Sequence, residues 1–196
     1  MRGPRLAAVV AAALILVACA GPDVEPPSAA TPPPIDEAAP PGTSTTWGVP
    51  AGIEGWELTT FDSDGIHQLR HTDLGCQVTY HQNLGAAAAA AQGFDPTATL
   101  DVFGDQLAQR VPVQEILGDV PPLLIPVTVG DEPAEFVRRV FRYRAEDGTA
   151  YSTDVAAQWF DDVELMINVS CAADQEAEAR PHIAELLELS SVVGHD

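Results

Sequence analysis

The sequence predicts an α+β fold, an antiparallel sheet packed with an internal helix at about 95–110 and a C-terminal helix at about 175–189. Three observations carry that prediction. Residues 134–171 hold three long segments with two-residue apolar alternation, separated by short turns. Leu100, Phe103, Leu107 and Val111 fall on one side at helical spacing. Near the end, Ile183, Leu186 and Leu187 give a second helix an apolar face, joined by Ser190.

The chain opens with Arg2 and Arg5, followed by an apolar run from Leu6 to Val17. That run is shorter than the roughly 20 residues of a spanning helix. A basic start, a short apolar stretch and small residues before a cleavage site make residues 1–18 a secretory signal peptide. Leu16-Val17-Ala18-Cys19 resembles the lipobox of bacterial lipoproteins. The resemblance implies a diacylglyceryl group on Cys19 and cleavage just before it. The protein is then expected on the outer face of the cytoplasmic membrane, lipid-anchored through Cys19. Two or three acyl chains would hold it stably, whereas one binds only marginally. An uncleaved anchor and a secreted chain without lipid are the alternatives.

Residues 19–51 read as a proline-rich, disordered linker with few apolar side chains to bury. In polyproline II form its roughly thirty residues would reach up to about 90 Å. Thr43, Ser44, Thr45 and Thr46 could carry sugars or remain unmodified.

Residues 52–193 are long enough for one α/β domain. Trp56 to Phe61 predicts a strand, Asp62-Ser63-Asp64-Gly65 a turn, and Ile66 to Thr72 a second strand. Cys76 to Gln82 is a third, with Cys76, Val78 and Tyr80 on one face. The alanine run between Gly85 and Gly93 is too short for more than a loop or a single turn. Asp95 can cap the internal helix and Pro96 can take its first position. Val113 to Leu117 is a short strand. The prolines at 121, 122 and 126 then suggest an edge or a crossing loop. Strands follow at Ala134–Arg144, Ala150–Phe160 and Glu164–Cys171. Asp174 can cap the last helix, although Pro181 argues for a regular start only near that residue.

A three-residue loop, Glu146-Asp147-Gly148 with Gly148 at positive φ, pairs Tyr143 with Tyr151 and Phe141 with Thr153. The rows Val137/Phe141/Tyr143, Tyr151/Val155/Ala157/Trp159 and Leu165/Ile167/Val169/Cys171 are then expected to face one helix layer. Cys76 and Cys171 fall on core-facing positions. Once Cys19 carries lipid they form the one intramolecular bridge left, closing a loop of about 95 residues worth up to roughly 4–5 kcal/mol. Two buried free thiols are the alternative.

The chain of 196 residues has a formal net charge of −20 and no lysine. Nucleic acid is excluded as a default partner, because phosphate contacts need clustered Lys and Arg. A purely electrostatic grip on anionic lipid heads is disfavoured for the same reason. The abundant Ala and Pro suggest a GC-rich genome, such as that of an actinobacterium.

The order from Thr128 onward runs through Gly130-Asp131-Glu132-Pro133-Ala134, a long strand to Tyr143, the Gly148 turn, two strands and a helix. With the helix at 95–110, this resembles the actinobacterial LpqN/LpqT-type lipoproteins and their PsbP-like α/β/α sandwich. The resemblance covers roughly residues 55–193. It implies a sheet with helices packed against it, a cell-envelope binding or accessory role, and no catalytic residues to carry over. The Cys76/Cys171 pair and the acidic balance have no counterpart in that pattern.

Several constellations have chemical potential. His67, His71 and His81 could approach a metal, but the strand context favours exposed polar residues, and the glutamate of H-E-x-x-H is missing. Asp62-x-Asp64-Gly65 is a fragment of a calcium loop and fits a β-turn better. Ser152, Asp154 and His182 make a triad on paper without a nucleophile elbow. Arg138, Arg142 and Arg144 alternate along one strand face and are the anion-binding candidates, suited to a phospholipid or phosphorylated glycan head group. Pairing with Asp154 and nearby carboxylates is the favoured alternative.

The reading is a lipid-anchored extracytoplasmic binding or accessory protein, non-catalytic, with no cofactor and no metal. Its partners would be the membrane through Cys19 and an envelope protein, lipid or glycan. A carrier of a small apolar envelope lipid is the first rival, favoured by a cavity bounded by Phe103, Phe141 and Trp159. A hydrolase is the second, and needs a clefted nucleophile with a base in reach.

Overall fold

The computed structural model describes residues 45–118, 120–129 and 132–194. The signal peptide, Cys19 and most of the linker lie outside the described residues, as do Gly130 and Asp131. Among the described residues, no helix is long and apolar enough to cross a membrane.

The architecture is mixed α+β. In chain order, strand β1 (Thr46–Gly48) is followed by β2 (Trp56–Ser63), β3 (Ile66–His71) and β4 (Cys76–Leu84). Helices α1 (Ala86–Ala90) and α2 (Pro96–Arg110) come next, then β5 (Val113–Leu117), β6 (Leu123–Ile125), β7 (Ala134–Arg144), β8 (Ala150–Phe160) and β9 (Val163–Ala172). Helix α3 (Glu176–Leu189) and β10 (Ser191–Val193) close the chain. The main sheet is antiparallel in the order β2-β3-β4-β9-β8-β7-β5, with β6 also pairing β7. A small second sheet joins β1 to β10.

Local chemistry explains most boundaries. Asp95 caps α2 by accepting from the Thr97 N–H at 2.8 Å, and Pro96 occupies the first helical position. The alanine run makes one short helix, α1. Gly148 sits at φ 87, and the predicted pairs Tyr143 with Tyr151 and Phe141 with Thr153 form. The proline-flanked segment around Leu123–Ile125 does reach an edge, as β6.

The expectation of a single helix layer is overturned. Asp161-Asp162 is a two-residue turn with Asp161 at φ 51, so Phe160 pairs with Val163 and Ala157 with Met166. A two-residue turn pairs residues of opposite parity. The Val137/Phe141/Val155/Ala157 row therefore shares its face with Met166 and lies under Leu100, Phe103 and Leu107 of α2. Leu165, Ile167, Val169 and Cys171 point to the other face, with Cys76, Val78 and Tyr80, under Ile183, Leu186 and Leu187 of α3. Helices thus cover both sides of the sheet. Gly104 lets α2 approach closely: a Cβ there would stand 2.9 Å from Cε1 of Phe141.

Three further boundaries differ from expectation. The folded domain begins inside the segment read as linker. Trp47 is 5% exposed, stacks on Phe136 at 5.4 Å, meets Tyr80 edge-on at 5.2 Å, and donates its Nε1–H to the His81 carbonyl. Prolines on both sides hid an aromatic anchor. Helix α3 runs through Pro181 from Glu176, with the buried Ala179 anchoring the turn before the proline. Its N-cap is Gln175, not Asp174, and carries no side-chain cap bond.

The sulfurs of Cys76 and Cys171 lie 2.12 Å apart, at bonding distance, and their Cα atoms 4.2 Å apart. They are direct cross-strand partners on β4 and β9. On the same face, four residues along β4, the buried Tyr80 hydroxyl meets Ser190 Oγ at 2.8 Å. Ser190 spends its own proton on the Leu186 carbonyl, at 2.7 Å, so Tyr80 is the donor. Burial pushes the Tyr80 phenol up from 10.0 to about 12, and the Ser190 hydrogen bond opposes part of that shift.

Candidate functional site

Where α3 crosses β7, β8 and β9, helix and sheet do not close on each other. They leave a cleft of about 470 Å³, within the usual range of small-molecule sites. Its origin is side-chain size. The floor on β8 is Ser152 and Ala156, both small, and the helix offers Ala184 opposite. Larger apolar neighbours, Val140, Ile167 and Val169 below and Ile183 and Leu187 above, set the walls.

Besides Ser152, the lining holds two charged pairs. Arg138 Nε donates to both oxygens of Asp154, at 2.8 and 2.9 Å, and its Nη2 also bonds Oδ2. Each side chain is under a third exposed. Donating hydrogen bonds to Asp154 raises Arg138 above its ordinary pKa, burial lowers it, and the nearby negative charge raises it again. At the mouth, Arg180 and Glu176 stand 3.9 Å apart on successive turns of α3. The arrangement can take an apolar body between sheet and helix, with paired charges along one side.

The arginine stripe is not one site. Arg138, Arg142 and Arg144 do lie opposite Val137, Phe141 and Tyr143, but α3 covers that face near Arg138. Arg142 pairs with Glu115 of β5 at 2.7 Å, half-exposed. Arg144 donates to the Gly148 carbonyl at 2.5 Å within its own hairpin. Each guanidinium has a different partner, and the first lies in the cleft wall rather than on a solvated rim.

The other candidates come apart similarly. His67 and His71 are buried, 8% and 5% exposed, not exposed as expected. His67 pairs with Tyr80 and Ile66 with His81, which puts His81 on the opposite face. His71 Nδ1 accepts the N–H of Asp73 at 3.3 Å and of Leu74 at 3.2 Å, leaving its proton on Nε2. Among the described residues, no group of three or more His, Cys, Asp or Glu is placed to hold a metal ion. Burial lowers the His81 imidazole, against the raising effect of Glu164. Asp64, at φ 52, forms a two-residue turn with Gly65, whereas Asp62, at φ 44, lies in β2 at a register shift, and its N–H donates to His67 Nδ1. Ser152 and Asp154 share the cleft, but His182 packs on His71 at 4.9 Å in a separate depression. The triad does not assemble.

The cavity also differs from the one anticipated. Phe103 and Phe141 pack together at 5.4 Å, and Trp159 Nε1 donates to Glu164 and Thr99. The large cleft opens on the other side of the sheet. Sequence reasoning missed the small residues that open it, Ala156 on the floor and Ala184 opposite. The available signal was small residues at positions where core partners are otherwise large. No protein-family model matches this chain, and no curated protein does.

Proposed function

We propose that the protein is a lipid-anchored, extracytoplasmic binding protein of the cell envelope, and that it holds a small apolar molecule between α3 and the sheet. The cleft of about 470 Å³ with a largely aliphatic lining is the observation that supports this reading. A binding role without catalysis is part of the proposal. So are the anchor at Cys19, the kinship with LpqN/LpqT-type lipoproteins and the PsbP-like identity of the fold. Helices on both faces of an antiparallel sheet support that last point. The carrier reading takes precedence over a purely accessory role, because an accessory protein has no need of a standing apolar cleft.

A dansyl-labelled undecanoic acid tests the binding. Its fluorescence should rise on mixing with the protein, and Ile183→Trp, which fills the cleft from the helix side, should reduce that rise by about tenfold in affinity. Equal binding by the variant would remove the cleft from the account. Separately, Cys19→Ala should shift the protein out of the detergent phase or leave an uncleaved precursor. Unchanged partitioning and processing would dismiss the anchor.

A further inference from the structure

The opposite face of the sheet carries a second feature that the cleft does not use. Helix α2 packs on β7 and β8, and its apolar contacts stop at Val137, Phe141, Val155, Ala157 and Met166. Beyond its edge, β3, β4 and β9 present a polar belt, Gln68, Gln77, Thr79, Asn168 and Ser170, to the same side, with Arg70 beside Gln77 and Glu164 further along β9. Gln68 Nε2 and Gln77 Nε2 both donate to Thr79 Oγ1, at 3.4 and 3.3 Å. Across β9, Thr153 Oγ1 donates to Ser170 Oγ at 2.9 Å. A groove of about 280 Å³ runs between this belt and α2, with Gln77, Asn168, Ser170 and Tyr143 in its lining.

Four details separate this belt from an ordinary solvated strand face. The side-chain oxygen of Asn168, in the groove, is buried and has no hydrogen-bond partner, and such a group is destabilising unless something supplies a donor. The Ser170 hydroxyl, in the groove lining, acts as acceptor in the bond from Thr153, so its own proton remains to be donated. The glutamine bonds to Thr79 are at the long end for N–H···O, so these amides exchange partners at little cost. Tyr143, stacked on Tyr151 at 5.5 Å and 16°, gives the groove an aromatic wall.

The chemistry of the lining selects the ligand. A chain with 29 acidic and 9 basic residues lines this groove with no carboxylate and one cation, Arg110. A cationic ligand has no counter-charge there, and the acidic domain disfavours an anion. A purely apolar ligand would bury the amides and hydroxyls unpaired. A ligand dense in hydroxyls, uncharged, with C–H faces to lay on an aromatic ring, matches the amides, the hydroxyls and the ring that line the groove. We infer that the groove between α2 and the β4–β9 face is a binding site for a neutral saccharide, with Asn168, Ser170, Gln77 and Gln106 as its hydrogen-bonding groups and Tyr143 as its stacking wall.

The test uses the full-length chain in detergent micelles on an array of neutral, amino and acidic oligosaccharides, followed by calorimetric titration of the best-retained one. Retention of neutral saccharides is expected, with Asn168→Ala weakening binding about tenfold through loss of one buried acceptor. Gln77→Ala, at an exposed strand position, should weaken it by a smaller factor and keeps the test valid if the Asn168 variant folds poorly. Leu189→Ala, exposed on α3, should leave it unchanged. Absence of retained neutral saccharide, preference for acidic ones, or equal binding by both groove variants and the unchanged chain would overturn the inference. The acyl-probe measurement on the opposite face is independent of each of these outcomes.

Discussion

The two faces of the sheet solve the same problem differently. The α2 face buries a small, tight cluster around Leu100, Phe141, Val155 and Ala157, closed by the approach of helix to ring at Gly104. The α3 face buries far more, from Trp47 across Tyr80, Phe136 and Ile167 to Leu186, yet leaves a cleft where Ser152, Ala156 and Ala184 meet. Apolar quantity alone therefore does not predict closure. Complementarity of size across the interface decides whether a core is filled.

If the faces are separate cores, truncations in each should add. Leu186→Ala and Leu100→Ala, at 0% and 2% exposure, should each cost about 2–5 kcal/mol. The double variant should cost their sum within about 0.5 kcal/mol. Urea unfolding measures all three, and strong non-additivity would merge the two faces into one unit. The Cys76–Cys171 bridge belongs to the α3 face alone. Replacing both cysteines by serine should cost about 2–5 kcal/mol, and intact protein should show no reaction of these residues with a thiol label before reduction.

Tyr80 offers a pH test of the same face. Its folded pKa, about 12, lies above the ordinary 10.0, so the folded state holds the proton where the unfolded state has lost it. That contribution is fully present below pH 10 and is lost as pH rises toward 12. About 2–3 kcal/mol should disappear across that window, and Tyr80→Phe should abolish this part of the pH dependence. Smallest is the contrast within the arginine stripe. A double-mutant cycle on Arg138 and Asp154 should give a coupling of about 1–2 kcal/mol in their partly shielded position. The half-exposed Arg142 and Glu115 should give about 0–1 kcal/mol. Equal couplings would mean that α3 does not shield the first pair.

Much of the architecture was legible because short-range chemistry dictated it. Asp95-Pro96 starts α2, Gly148 sets the β7–β8 register, and both cysteines could be placed on core positions by alternation. The face of β9 was not legible from its own pattern. Its odd positions are apolar in either register, and only the two-residue turn at Asp161-Asp162 assigns them to α3. Trp47 was hidden by the prolines around it, although a tryptophan at the end of a polar tether is itself a signal of docking. The cleft was least legible, because it arises from residues that fail to fill space. Ala156 and Ala184 look like unremarkable members of a strand and a helix until the fold brings them opposite each other.

The central claim is that the α3 face, and not the α2 face, takes up an apolar ligand. Methyl-labelled protein titrated with the dansyl acyl probe and followed by NMR addresses it residue by residue. Methyl signals of Ile167, Val169, Ile183 and Leu187 should shift together and saturate, while those of Leu100, Val137 and Val155 stay in place. Shifts confined to the second group, or absent from the first at saturating probe, would contradict the account.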